Sequence, residues 1–160
     1  MDNTLEIRVG ALLRQRGLTL ALAESCTGGL VGHRVTNVPG SSTYYLGSVT
    51  AYAYEAKVRL LGVTWETLEA HGAVSDETVL EMAAGVRKAL GADVGASISG
   101  IAGPGGGMPE KPVGLVYFGL SIGEENLSKH RIFKGDRVAV KEQAAEFILG
   151  WLVEKLAESS

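Results

Sequence analysis

Residues 21–30 read ALAESCTGGL, so three side chains able to act as nucleophiles, Ser25, Cys26 and Thr27, stand directly before Gly28 and Gly29. Apolar runs on both sides place this turn between a strand and a helix. Free backbone N–H groups at a helix start point outward and favour negative charge. The two glycines would let a ligand come close to the backbone. Two chemistries fit such a turn. It could hold a phosphate, or it could hold the oxyanion formed when Ser25 attacks a carbonyl. A plain turn, with Ser25 or Thr27 as an ordinary N-cap, is the structural alternative. The phosphate-loop pattern with its Gly-Lys-Ser/Thr ending is absent, which removes the usual nucleotide-hydrolysing motor.

A serine hydroxyl is a poor nucleophile until something takes its proton. The three histidines, His33, His71 and His130, fall at surface or capping positions of the expected elements. No pair has zinc-ligand spacing, so no metal is expected. Lysine is the other option. In TAYAYEAKVRLLG, Lys57 lies one turn into a helix that follows a strand, and Tyr52 stands five residues earlier. A lysine becomes a general base if its pKa falls from about 10.4 towards neutrality, a change of roughly 3 units or about 4 kcal/mol. Burial and a helix N-terminus both push it that way, and Tyr52 could relay or donate a proton. The ordinary alternative is a solvated lysine beside a packed tyrosine. Cys26 competes with Ser25, because a thiolate is a strong nucleophile and a helix N-terminus lowers a thiol pKa. A lone cysteine in an apolar turn is more often a small buried residue.

The elements that must position these groups alternate along the chain. Leu5, Val9, Leu12 and Leu13 share a helical face over residues 3–16, with Asn3 or Thr4 as cap and Gly17 as stop. LTLALA reads as a buried strand. A helix is expected from about Thr27 to Thr36, and YYLGSVTAYA reads as a second strand. YEAKVRLLG is a short helix closed by Gly62. Thr64 caps WETLEAHG, and Ser75 or Asp76 starts a firmer helix to Leu90. DVGASIS is a third strand, and GIAGPGGGMPEKP a long loop. VGLVYFGLSI and LSKHRIFK make an antiparallel hairpin around GEEN. Asp136 caps a final helix reaching about Leu156. Early alternation and a late hairpin predict an α/β fold: a three-layer α/β/α sandwich with a mixed sheet, one domain over residues 1–160.

Composition sets outer limits. A chain of 160 residues with one cysteine forms no internal disulfide and needs none. No basic start followed by an apolar run suggests a signal peptide. No run reaches the roughly 18 apolar residues of a membrane span. A net charge of −3 weighs against sequence-independent nucleic-acid binding. The expectation is a cytoplasmic protein with no membrane and no nucleic-acid partner.

AESCTGGL, VPGSSTYYLGSVTAYAYEAKVRLLGV, HGAVSDETVLEMAAG and SGIAGPGGGMPEKPVGLVYFGL together resemble the CinA C-terminal-domain family. The resemblance runs from about residue 5 to the last helix. Active members of that family are nicotinamide-nucleotide amidohydrolases. The resemblance implies an α/β/α sandwich and a serine–lysine site that cleaves the carboxamide of nicotinamide mononucleotide to nicotinate mononucleotide and ammonia. By resemblance Ser25 is the nucleophile, Lys57 the general base and Tyr52 the assisting hydroxyl, with no cofactor. The partner is then a small-molecule nucleotide, and the assembly a homo-oligomer, a dimer or larger. The family also occurs fused behind a domain linked to ADP-ribose pyrophosphatase activity, and none of that chemistry is carried over. Two positions depart from the family pattern. Tyr54 stands where Asn or Ser is usual, which bears on pocket width, and Ser99 stands where Thr is frequent.

In this frame the backbone N–H groups near Thr27, Gly28 and Gly29 bind the oxyanion, with Cys26 beside them. The second glycine cluster supplies Gly100, Gly103, Gly105 and Gly106 as a wall of the nucleotide pocket, against the alternative of a flexible connection. Arg137 at the start of the final helix could reach the phosphate or pair with Asp136 or Glu142. Lys111 has a similar status. The rival class is a non-catalytic module that binds a nucleotide or a protein. A third reading is a serine amidase for another pyridine or ribosyl carboxamide.

Overall fold

The computed structural model describes residues 3–158. Its strands are β1 (Leu20–Glu24), β2 (Tyr45–Thr50), β3 (Val94–Gly100), β4 (Leu115–Ile122) and β5 (Glu125–Ile132). Its helices are α1 (Leu5–Arg16), α2 (Leu30–Thr36), α3 (Tyr54–Leu61), α4 (Trp65–His71), α5 (Asp76–Leu90) and α6 (Arg137–Ala157), with one 3₁₀ turn at Ser41–Thr43. The sheet order is β2-β1-β3-β4-β5. β1 is parallel to both β2 and β3, whereas β4 runs antiparallel to β3 and β5 to β4. The mixed sheet and the late hairpin are as the sequence predicts.

Strand alternation sorts β1 between two cores. Leu20 and Leu22 join Val9, Leu13, Val31, Ile148 and Leu152 under α1, α2 and α6. Ala21 and Ala23 face the other way, towards Leu61, Leu68, Met82 and Val86 of α3, α4 and α5. Small residues let α5 lie close to its neighbours: a Cβ on Gly85 would fall 1.7 Å from the Leu61 carbonyl oxygen, and one on Gly95 would fall 2.2 Å from that of Ala83.

Local signals fix most helix ends. Thr64, Ser75 and Asp136 accept hydrogen bonds from Thr67, Thr78 and Ala139 N–H groups, as N-caps do. Gly62 ends α3 in the left-handed region at φ 71°. Three boundaries differ from the sequence reading: β2 ends at Thr50, before AYA; β5 begins at Glu125, inside GEEN; and the third bears on the site. α2 begins at Leu30, not Thr27, because residues 25–29 form a separate turn gripped by Glu24. Among the described residues no helix is long and apolar enough to cross a membrane.

Candidate active site

In open parallel sheets, ligands bind beyond the carboxyl ends of strands where the chain order reverses. β1 is such a place, flanked by β2 on one side and β3 on the other. The register pairs Glu24 with Thr50 and with Ile98, so the next residues, Ser25, Ala51 and Ser99, emerge together at that end. Two backbone bonds extend the alignment: Ser25 N–H donates to the Ile98 carbonyl at 3.0 Å, and Ala51 N–H donates to the Glu24 carbonyl at 2.9 Å.

α3 then brings Lys57 to this point. Its Nζ lies 2.9 Å from Ser25 Oγ, 3.0 Å from the Ala51 carbonyl oxygen and 2.9 Å from the Tyr52 carbonyl oxygen. The lysine is 1% exposed. Burial, with no carboxylate paired to it, lowers its pKa from 10.5 to about 8. An ammonium would donate one proton to each of the three oxygens. A neutral amine has two N–H bonds for the carbonyls and one lone pair left for Ser25. The geometry therefore accommodates the amine as an acceptor of the Ser25 proton without moving any atom.

The turn after Ser25 is organised by Glu24, a residue the sequence reading passed over. Its carboxylate is completely buried. It accepts hydrogen bonds from Thr27 Oγ1 (2.6 Å) and from the N–H groups of Gly29 (3.2 Å), Val31 (3.0 Å) and Gly32 (2.9 Å). Glu24 has the strand parity of Leu20 and Leu22, which turns it to the α2 side. That parity was the signal available: a carboxylate on the buried side of a strand needs donors, and a helix N-terminus supplies them. The phosphate-cradle alternative is thereby corrected, because the protein's own carboxylate occupies the anion position at the start of α2.

The expected oxyanion donors also shift. Gly28 N–H closes the turn onto the Ser25 carbonyl at 3.0 Å, and Gly29 N–H is held by Glu24. Both are committed to holding the turn. In a turn closed between its first and fourth residues the two central N–H groups stay unused. Here these belong to Cys26 and Thr27, which have no partner in another described residue, although both residues are buried. These two N–H groups are the donors that the turn itself leaves uncommitted.

Ser25, Cys26, Tyr52, Lys57, Ser99, Gly100 and Arg137 line one cleft of about 210 Å³, with Tyr54, Ala73 and Val74 on its far wall. Tyr52 is placed differently from its assigned role. Its carbonyl, not its hydroxyl, contacts Lys57, while the hydroxyl accepts a hydrogen bond from Arg137 Nη2 at 3.0 Å. Arg137 also donates through Nη1 to the Gly103 carbonyl at 2.8 Å. The expected pairing of Arg137 with Asp136 or Glu142 is absent among the described residues, since Asp136 caps α6 instead. Arg137 thus ties the glycine loop to the Tyr52 segment across the cleft mouth. Of that loop, Gly100 lines the cleft and Gly103 touches Arg137, whereas Gly105 and Gly106 are exposed and lie outside the lining. Lys111 donates to the His71 carbonyl. Tyr54 Oη accepts a long hydrogen bond from Ala73 N–H at 3.4 Å, fixing a wall where a smaller residue would leave space.

Cys26 is buried and its thiol pKa is pushed up to about 12, chiefly by burial. A thiol so held is protonated near neutral pH and is a poor nucleophile. His33, His71 and His130 are all exposed and none lines the cleft. No group of His, Cys, Asp and Glu among the described residues has the geometry of a metal site.

The fold and site define an α/β/α sandwich with a buried serine–lysine pair at the carboxyl end of its central parallel strand. The sequence pattern of the CinA C-terminal domain matches residues 2–156, and the chain belongs to that family. It is 49% identical over 163 aligned residues to a CinA-like protein of Chloroherpeton thalassium, covering 99% of this chain and 39% of that one. It is 52% identical over 148 residues to a CinA-like protein of Salinibacter ruber, covering 92% and 36%. The chain thus spans under two fifths of the length of these relatives. A crystal structure of a CinA superfamily protein from Klebsiella pneumoniae superposes with a TM-score of 0.93 at 39% identity, covering 96% of each chain.

Proposed function

We propose that the chain is an amidohydrolase of one domain that removes the carboxamide nitrogen of nicotinamide mononucleotide, giving nicotinate mononucleotide and ammonia. The observation that carries this reading is the 2.9 Å contact between Lys57 Nζ and Ser25 Oγ, with the lysine withdrawn from water. Lys57 as the neutral amine accepts the Ser25 proton while Oγ attacks the amide carbon. The carbonyl oxygen takes the negative charge and is stabilised by the Cys26 and Thr27 N–H groups. As the C–N bond breaks, the Lys57 ammonium returns its proton to the leaving nitrogen and ammonia departs. Water then adds to the acyl-enzyme, giving its proton to Lys57. The ester bond breaks, Ser25 recovers that proton, and the acid is released. No cofactor is required at any step.

Substrate orientation follows from the surroundings. The cleft of about 210 Å³ suits the pyridine carboxamide more than a whole nucleotide. The phosphate is then directed to Arg137, the exposed cation of the cleft lining, and away from the buried Lys57. Tyr52 acts there as the partner that orients Arg137. The test is ammonia release from nicotinamide mononucleotide, nicotinamide riboside and nicotinamide, wild type beside Ser25→Ala. The expected result is turnover of the mononucleotide by the wild type alone. Binding of the nucleotide without ammonia release would support the non-catalytic module, and turnover confined to another carboxamide would replace the substrate.

A further inference from the structure

We propose that Glu24 is a positioning residue for catalysis: its buried carboxylate fixes the turn that presents Ser25 Oγ and the Cys26 and Thr27 N–H groups to one reacting carbonyl. The inference rests on Ser25 being an acyl-transfer nucleophile, as proposed above. It does not depend on which carboxamide is the substrate.

Four donors converge on this one group: the Thr27 hydroxyl and the Gly29, Val31 and Gly32 N–H groups. Thr27 and Gly29 belong to the turn itself, and Val31 and Gly32 belong to the first turn of α2. Glu24 therefore ties the reactive turn to the helix behind it. Its backbone carbonyl meanwhile accepts from Ala51 N–H at 2.9 Å. Ala51 and the next residue, Tyr52, supply the two carbonyls that hold Lys57. One residue thus registers the nucleophile's turn through its side chain and the base's carbonyl cradle through its main chain.

The approach is closely fitted. A Cβ on Gly32 would stand 3.4 Å from Glu24 Oε2 and 2.6 Å from the Tyr45 hydroxyl. With Gly29, Val31 and Gly32 all satisfied by Glu24, the start of α2 has no donor left to compete for the substrate oxyanion. Only the two central N–H groups of the turn remain. Losing one oxyanion donor costs about 100- to 1,000-fold in rate, so a partial displacement of both costs roughly 10- to 100-fold.

The experiment compares Glu24→Gln, Thr27→Val and Thr27→Ser with wild type. One readout is ammonia release from nicotinamide mononucleotide, giving kcat and KM. The other is the rate of Ser25 labelling by an alkyl fluorophosphonate, followed by intact mass. The expectation is a kcat for Glu24→Gln lower by roughly 10- to 100-fold, with KM changed by less than about threefold and labelling slowed in parallel. Thr27→Val should fall in the same direction by about tenfold, and Thr27→Ser, which keeps the donated hydroxyl, should stay within about threefold of wild type. The pH midpoint of the rate should not move, because Glu24 does not touch Lys57. Should Glu24→Gln fail to fold, the Thr27 pair decides the matter. Equal kcat for Thr27→Val and Thr27→Ser, a loss confined to KM, or full labelling of Glu24→Gln would overturn the proposal. Wild-type protein that labels at Ser25 but releases no ammonia sinks the substrate alone, and the labelling comparison still judges Glu24. Wild-type protein that does neither sinks both.

Discussion

The sharpest consequence of the structure is a pH dependence set by one amine. Lys57 titrates near 8 instead of 10.5, because its ammonium is removed from water without a carboxylate to balance it. At pH 7 an ordinary lysine is neutral in about 0.03% of molecules, and one titrating at 8 in about 9%, roughly a 300-fold gain in competent base, or about 3 kcal/mol. kcat/KM reports the free enzyme's essential groups. It should rise about tenfold from pH 7 to pH 9 and then level off, measured by ammonia release at constant ionic strength. The same group couples to stability. Its folded pKa lies below its unfolded one, so the unfolded chain holds more protons between pH 8 and 10.5 and stability rises with pH across that window. The burial penalty is fully present below pH 8. The difference in unfolding free energy between wild type and Lys57→Met should therefore shift by about 3 kcal/mol in favour of wild type from pH 7 to 11. A rate midpoint near 10.5, or a flat stability difference, would refute a buried neutral-amine base.

Four further outcomes follow from the same geometry. Ser25→Ala should abolish ammonia release while leaving the melting temperature within a few degrees, since Ser25 Oγ supplies only one of three acceptors to Lys57. Iodoacetamide at pH 8 should leave Cys26 unmodified by mass and activity intact, because the thiol is buried and titrates near 12. Arg137→Ala should raise KM by about tenfold with a smaller effect on kcat, and Arg137→Lys should not restore it, because one ammonium does not reproduce the two-pronged contact to the Gly103 carbonyl and the Tyr52 hydroxyl. Gly85→Ala should lower stability by about 2–3 kcal/mol in urea titrations, since the new methyl meets the Leu61 carbonyl and α3 must move. It should also depress activity, because α3 carries Lys57.

Local chemistry made most of the scaffold legible. Thr64, Ser75, Gly62 and Asp136 cap or close helices where their side chains, or in glycine's case its lack of one, require. The alternation of leucine and alanine in LTLALA foreshadows a strand buried on both faces. Ser25 and Lys57 were legible as a possible pair, but their meeting was not. It depends on a register between β1 and β2, and on Ala51 being hung from the Glu24 carbonyl, which no spacing along the chain encodes. The start of α2, expected at Thr27 but found at Leu30, differs for a related reason. The strand–turn–helix pattern alone does not say where the turn ends, whereas a buried carboxylate one position before Ser25 claims the Thr27 hydroxyl and the Gly29, Val31 and Gly32 N–H groups and holds residues 25–29 as a separate turn. Gly105 and Gly106 looked like ligand-facing backbone by composition, yet only Gly100, which ends β3, is carried into the cleft by the sheet. Ser25 and Gly100 reach the site because strand ends deliver them and Lys57 because α3 follows the end of β2, whereas Gly105 and Gly106 lie on a segment whose path the sheet does not dictate. The carboxyl ends of β1, β2 and β3 thus supply Ser25, Tyr52, Ser99 and Gly100 to the cleft, and the helix starts add Lys57 and Arg137. Ser99, which directly follows the Ile98 partner of Glu24, lines the cleft with Gly100 for the same reason, because β3 carries both to the end of the sheet where Ser25 emerges.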